Sequence, residues 1–396
     1  MMPPLNDFPG GNGPVGLRRS WGEVMQSSTE RPAAAGPFAR SALLPEDVTR
    51  PAGGWSRQGH TAPPADPARP PLVHVPSASG RFPAYLRSLE RLFGARPGRL
   101  RDILFSRAPV LFLAVEESFL LYVFVGLLRA LVGRRTVGLL VRPMPLVVSG
   151  DRRSRWRRGV LGRLKRIDAI RTLTTLPFEV FPAFAAIADG WIYDFQLWDL
   201  TVEERTAVEL LRETRWTGGR LVLTAIGAQD WRKGFDLFSE SYVGCAGLRT
   251  HFRFIACGRV AGEMAAHAAA LRGAGGVVVD RVISDAELLG AYAASDAVWC
   301  LYPLAGDGAC GIFGRAAQLG LPVVVRQGSL CHRLCGLENI RHVAVTADDM
   351  TAQLAAPLPP RDMMGGRLAA MRFARHSKGV LRAALGLAPR RDEAGA

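Results

Sequence analysis

The chain has 396 residues, 48% of them hydrophobic and 21% charged, proportions of a folded globular protein that exclude wholesale disorder. At roughly 100–200 residues per domain, that length predicts two domains and a tail. The 50 Lys and Arg residues outnumber 35 Asp and Glu, for a formal charge of +15, which favours anionic partners (nucleic acid, phosphorylated substrates or an acidic membrane surface) without choosing among them.

Residues 1–70 are rich in Pro, Gly, Ala and Arg and show no apolar periodicity; Pro63, Pro64, Pro67 and Pro70 crowd their end. Such a segment buries too little surface to offset its chain entropy and reads as a disordered tail. It also lacks the basic stretch and apolar core of a secretory signal. Order begins at 71 with a strand, Leu72 to Val75, and a small-residue loop, Ser77 to Arg81. Tyr85, Leu86, Leu89, Leu92 and Phe93 follow at helical spacing. Val110 to Val115 is a strand ending in Glu116-Glu117, and Phe119 to Val132 a helix apolar nearly all round. No run of about 20 apolar residues is free of charge, so no transmembrane span is expected. Further strands are predicted at Thr136 to Val141, Arg171 to Thr174 and Gly190 to Tyr193, then a polar helix from Val202 to Arg215.

Trp216 to Gly219 marks the boundary between a first domain, 71–215, and a second, 216–365. The second repeats the alternation: strands at Leu221 to Ile226, Phe252 to Ala256, Val277 to Val282, Val298 to Tyr302 and Pro322 to Val325, helices at Asp285 to Ala294 and Phe313 to Leu319. In the closing segment, 366–396, Arg367 to Leu385 has amphipathic spacing and is expected to pack back on the first domain. Strands alternating with helices imply parallel βαβ units. The predicted fold is α/β, with two Rossmann-like domains facing across a cleft, and ligands belong beyond the carboxyl ends of the strands.

Two loops meet that rule. Gly227-Ala228-Gln229-Asp230-Trp231-Arg232-Lys233-Gly234 leaves a strand and opens a helix. Its amides suit an anion, and Arg232 and Lys233 supply charge; the alternative is a solvated turn. Tyr302 to Ala317 also joins strand to helix, with glycines that let backbone amides approach a ligand. Arg315 falls on the first helical turn, where a cation opposes the helix dipole, unless an anionic ligand sits there or the arginine merely lies on the surface. Neither loop is a Walker A loop or a G-x-G-x-x-G fingerprint.

With Arg232 to Asp236, Phe254 to Gly258, Ile283 to Leu288, Tyr292 to Asp296, the Gly-Ile-Phe-Gly run and Gly320 to Val324, the second domain resembles the donor-binding domain of GT-B glycosyltransferases, in particular the retaining family 4 group. The resemblance covers roughly 220–345; the first domain shares only the strand–helix order. It implies a nucleotide-sugar donor, with Arg232 and Lys233 as catalytic residues on its diphosphate. It implies that Gly227 belongs to the donor site, that Ile283 lines the nucleotide base and that Glu287 stands near the ribose or base edge, unless Glu287 is simply a helix N-terminal acid; the amides of Gly311, Ile312 and Phe313 would face the donor. Where the family carries two glutamates eight positions apart, this chain has Asp307 and Arg315. Asp307 can accept hydrogen bonds from a sugar, whereas a guanidinium is donor-only.

On the acceptor side the candidates at strand ends are Ser79, Gly80, Arg81, Glu116, Glu117 and Asp194. The Glu116-Glu117 pair either faces the cleft or caps a helix start, with capping favoured. Asp194 lies among aromatics that hold a sugar or pack between domains. Residues 151–166 carry Arg152, Arg153, Arg155, Arg157, Arg158, Arg163, Lys165 and Arg166 with apolar residues interspersed. That cationic helix fits an anionic membrane, nucleic acid being the rival and a solvated face the plain alternative. Aromatic residues do not alternate with basic ones, so no nucleic-acid partner is expected. Six cysteines in a chain this long read as reduced, cytosolic thiols, Cys331 and Cys335 included. No cofactor and no metal are expected, there being no Asp-x-Asp motif.

The reading is a cytoplasmic hexosyltransferase, peripheral at the inner face of the cell membrane. It takes a nucleotide-sugar and passes the sugar to a glycan or lipid-linked acceptor in polysaccharide or glycoconjugate synthesis. The alternative is a catalytically inactive nucleotide-sugar-binding scaffold of the same fold.

Overall fold

The computed structural model describes residues 69–76, 82–213, 219–303, 307–308, 310–346 and 348–387. The N-terminal tail of the sequence reading, its Ser77 to Arg81 loop and its domain boundary at 216 lie outside the described residues.

The first half builds β1 (Leu72–His74), α1 (Phe82–Phe93), β2 (Arg96–Pro97), α2 (Leu100–Phe105), β3 (Val110–Leu113), α3 (Phe119–Ala130), β4 (Thr136–Leu140), α4 (Met144–Val148), α5 (Arg152–Leu164), β5 (Ile170–Thr174) and β6 (Gly190–Trp191). After α6 (Val202–Glu213) the second half builds β7 (Leu221–Ile226), α7 (Phe235–Gly244), α8 (Ala246–His251), β8 (Phe252–Cys257), α9 (Ala265–Gly273), β9 (Val277–Val279), α10 (Asp285–Ala294), β10 (Ala297–Trp299), α11 (Gly311–Gln318), β11 (Val323–Arg326), α12 (Leu330–Glu338), β12 (His342–Val345), α13 (Met350–Ala355) and α14 (Met363–Leu385).

Both sheets are six-stranded and parallel throughout, in the orders β2-β1-β3-β4-β5-β6 and β12-β11-β10-β7-β8-β9. The first reverses direction of growth between β1 and β3, the second between β7 and β10. Central strands covered on both faces read as unbroken apolar runs, and all four residues of β3 are buried. In β4, Gly138 has no room for a side chain: a Cβ there would stand 2.6 Å from the Tyr122 ring, so the glycine lets α3 close on the sheet.

Arg129 on α3 is fully buried. Its guanidinium donates to the carbonyls of Ile103 and Ser106 at 2.8 Å each and of Ala108 at 2.6 Å, tying the α2–β3 connection to the helix. Burial pulls its pKa down to about 10, still charged at neutral pH. The opposite face of α3 is uncovered: Leu120, Phe124 and Leu131 are 69%, 59% and 84% exposed.

The two halves share a core, in which Leu176, Phe184 and Tyr193 of the first meet Tyr292, Phe313 and Val325 of the second. Helix α14 contributes Ala369 and Phe373 to that core, and Val380, Leu381 and Leu385 to the core beneath the first sheet. His376 stacks on Trp191 with ring centres 4.0 Å apart, and Phe373 meets Tyr193 at the same distance. Among the described residues no helix is long and apolar enough to cross a membrane.

Candidate functional site

At the reversal of the second sheet, the loops leaving β7 and β10 come together. Gly227 opens the first with φ +96°, its carbonyl accepting from Gln229 Nε2 at 2.8 Å. Asp230 ends it, its side chain accepting from the Lys233 amide at 3.0 Å to start the turn Trp231–Lys233. Gly234 follows with φ +65°, and a Cβ there would stand 2.2 Å from the Leu301 carbonyl oxygen. Only glycine therefore lets this turn lie against the second loop.

That packing aims Lys233 across the crevice. Its Nζ lies 3.2 Å from Cys310 Sγ and 4.5 Å from the centre of the Tyr302 ring. The Tyr302 hydroxyl is 3.0 Å from the same sulfur. Arg232 turns the other way: it is 65% exposed and pairs with Asp230 at 3.2 Å. Of the two cations, the geometry brings Lys233 alone into the crevice.

Cys310 precedes α11, whose amides at Ile312 and Phe313 favour its thiolate electrostatically. The helix start is not open on every side. A Cβ on Gly311 would lie 1.8 Å from Gln196 Oε1, and one on Gly314 2.5 Å from the Gln196 carbonyl oxygen. These two glycines seat the Phe195–Leu197 turn of the first half on the helix. Phe313 is buried and Ile312 half-buried beside the shared core.

Asp307 and Arg315 each have a partner within the chain. Arg326 Nη2 and the Leu330 amide both donate to Asp307 at 3.0 Å, in an ion pair whose side chains are only 7% and 4% exposed. Burial pushes the Asp307 carboxyl up, against the pull of the Leu330 amide and of Arg326. Arg315 Nη2 donates to Asp199 Oδ2 at 2.9 Å, and Gln318 Nε2 to the other oxygen at 3.0 Å. The expectation that Arg315 falls on the first helical turn is not met: α11 starts at Gly311, so Arg315 lies in its last turn, where a cation suits the helix dipole, and Asp199 meets it there. The helix dipole therefore gives no reason of its own to place an anionic ligand beside Arg315.

Glu287 sits in the first turn of α10 in a capping box, accepting from the Ser284 amide at 2.8 Å, and pairs with Arg281 at 3.0 Å. The Arg281 bond and the Ser284 bonds hold its carboxyl below the usual range. Ile283 is half-buried just before it.

In the first half, Ser79, Gly80 and Arg81 lie outside the described residues. Glu116 does not cap α3, whose N-cap Ser118 makes no side-chain cap bond. Its carboxylate accepts instead from the amides of Val141, at 3.3 Å, and Arg142, joining the ends of β3 and β4. The helix-capping expectation fails because these amides have no strand partner and lie within reach. Burial pushes the Glu116 carboxyl up, against those amide bonds; Glu117 is exposed. Asp194 is fully buried, accepting from the Gln196 amide at 2.9 Å and from the Tyr85 hydroxyl, so its carboxylate is used in packing. Cys331 and Cys335 are buried on α12 with their thiols pushed up by burial. Among the described residues no group of His, Cys, Asp or Glu is placed to hold a metal ion.

The residues that sequence reasoning passed over are Tyr302, Cys310, Asp199 and Gln196. No local signal marks them, because each acts through partners distant along the chain.

No family model matches the chain, and no curated protein does. Solved structures do. HepE from Anabaena, in complex with UDP, is 11% identical over 79% of this chain and 98% of its own, with a TM-score of 0.53. A UDP-forming α,α-trehalose-phosphate synthase from Burkholderia xenovorans, in complex with glucose-6-phosphate, is 13% identical over 77% and 81%, with a TM-score of 0.45. WaaG, a glycosyltransferase involved in lipopolysaccharide biosynthesis, is 13% identical over 79% and 98%, with a TM-score of 0.44. The likeness is one of fold, and the fold is GT-B: two Rossmann-like domains facing across a cleft.

Proposed function

We propose that the chain is a glycosyltransferase that moves a hexosyl group from a nucleotide-sugar to a glycan or lipid-linked acceptor, with retention of configuration and without a metal ion. The observation that carries this is Lys233. Its half-buried ammonium stands at the strand-order reversal, beside the start of α11, with no carboxylate in ion-pair range among the described residues. A donor diphosphate seated there meets a fixed cation and helix-start amides, and both interactions strengthen as charge builds on the departing diphosphate. The UDP held by HepE on the same fold supports a uridine nucleotide as the first donor class to try.

A second reading, a nucleotide-sugar-binding scaffold without catalysis, is favoured by one observation. Asp307 and Arg315 stand where the resembling family has its two glutamates, and both are spent in internal ion pairs. A panel of nucleotide-sugars, read by hydrolysis and by thermal shift, separates the two. Turnover of any donor eliminates the scaffold; saturable stabilisation without turnover, acceptors included, favours it. If no nucleotide-sugar stabilises the chain, both readings fall.

The acceptor side is proposed to meet an anionic membrane. Arg157, Arg158 and Lys165 are used on carbonyls of the fold, whereas Arg152, Arg153, Arg155, Arg163 and Arg166 on and just after α5 are exposed. Trp156, 51% exposed, packs edge-on against Phe119, which sets this basic helix against the first turn of α3, the helix that carries the bare apolar face. At about 1 kcal/mol per basic residue near the lipid surface, reversing Arg152, Arg153 and Arg155 to glutamate should lower binding to anionic vesicles at least roughly 100-fold. Sedimentation with vesicles at rising salt checks this. Neutral vesicles bound as well as anionic ones, or unchanged binding of the variant, would assign the charge another role.

A further inference from the structure

We propose that Cys310 is a reactive thiolate and a modification site: set against the Lys233 ammonium and the Tyr302 hydroxyl at the start of α11, its sulfur takes peroxide and soft electrophiles, and once modified it blocks the anion site.

Three contacts converge on one sulfur. Lys233 Nζ donates to it from 3.2 Å, Tyr302 Oη lies at 3.0 Å, and the Ile312 and Phe313 amides favour its charged form. A thiolate is the reactive form, and a neighbouring ammonium and a helix start both lower the pH at which it appears. Burial works the other way here, but the Lys233 charge, the Tyr302 hydroxyl and the two amides outweigh it, so the thiol sits below its ordinary pKa. The ammonium points to the same conclusion independently. Lys233 is half-buried without a carboxylate among the described residues, and the thiolate is the one anion the described fold offers it.

Accessibility separates Cys310 from its neighbours. Cys300, Cys331 and Cys335 are buried, with thiols pushed up by burial. Cys257, at the end of β8, is half-buried like Cys310, but burial and the Glu287 charge raise its thiol. Of the three half-buried cysteines, Cys245, Cys257 and Cys310, the last two are thus poised in opposite directions, and Cys257 serves as the internal reference.

With hydrogen peroxide, the sulfur lone pair attacks one peroxide oxygen. The S–O bond forms as the O–O bond breaks, hydroxide leaves and is neutralised by a proton from the solvent, and the product is the sulfenic acid. Sulfur loses two electrons and peroxide gains them. The added oxygen lies between Lys233 and the helix-start amides, where a phosphate would otherwise bind.

That last clause rests on the proposed donor site; the thiolate does not. The test labels the whole chain with iodoacetamide from pH 6 to 9 and reads each cysteine peptide by mass spectrometry. At pH 6.5, Cys310 should react at least tenfold faster than Cys257, with a labelling midpoint below that of a free thiol. In Lys233→Met the midpoint should rise and most of the difference vanish. A dimedone adduct after dilute peroxide should fall on Cys310 and not on Cys257. Equal rates for the two cysteines in the wild type, or a midpoint unmoved by Lys233→Met, overturn the proposal. UDP at saturating concentration should slow Cys310 labelling. Fast labelling that UDP leaves unchanged sinks the donor placement and upholds the thiolate.

Discussion

Replacing Lys233 by Ala should weaken nucleoside diphosphate binding by about 1.5–3 kcal/mol, the range for a lost hydrogen bond to a charged group, or roughly 10- to 150-fold in Kd. The same loss is expected in kcat/KM if a donor is turned over, because the cation is proposed to act on the departing diphosphate. Calorimetric titration with UDP measures the first quantity. The unliganded chain should melt almost as the wild type does, since Lys233 touches only a thiol and an aromatic face. Arg232→Ala supplies the contrast. That side chain is largely exposed and pairs with its near neighbour Asp230, so its removal should cost well under 1 kcal/mol. Equal losses for the two variants, or none for Lys233, would refute the placement.

The second large effect is expected at Arg315, and it is an effect on stability. Arg315→Glu sets a carboxylate against Asp199 in a pair whose side chains are 15% and 7% exposed. Breaking a buried pair by removing one partner costs about 3–5 kcal/mol, and two like charges add to that. Urea unfolding should show the loss directly. Adding Asp199→Arg, which restores opposite charges in reversed order, should recover part of it, and that recovery is the specific signature of the pair. If Arg315 instead serves a ligand, the single variant keeps its unfolding midpoint and loses only donor affinity.

Much of this architecture can be read along the chain. Unbroken apolar runs such as Val110 to Leu113 mark strands covered on both faces, and the Gly-Ile-Phe-Gly run marks a helix start. What the chain conceals is long-range. Glu116 beside a helix start invites a local, capping explanation, yet its carboxylate finds amides of residues 25 and 26 positions on. Arg315 lies in the last turn of α11, and nothing nearby in sequence identifies Asp199, 116 positions away, as its partner. The bond from Lys233 to Cys310 spans 77 positions and exists only because Gly234 lets one loop lie on another. The short strand β12 and the short helix α4 escape notice for a different reason: with four and five residues they are too brief to display a period. The apolar face of α3 shows the converse limit: a helix apolar nearly all round still leaves Leu120, Phe124, Leu127 and Leu128 exposed.

Helix α14 lends its first turns to one core and its last turns to the other, so the polypeptide is not organised as two interchangeable cassettes. A segment ending after β12 holds every strand of the second sheet, yet leaves Tyr193 and Trp191 without Phe373 and His376, and Val73 and Leu111 without Leu381 and Leu385. A chimaera that exchanged the first half alone would have to carry the matching C-terminal turns with it. The two sheets are thus bound into one folding unit by a shared C-terminal strap.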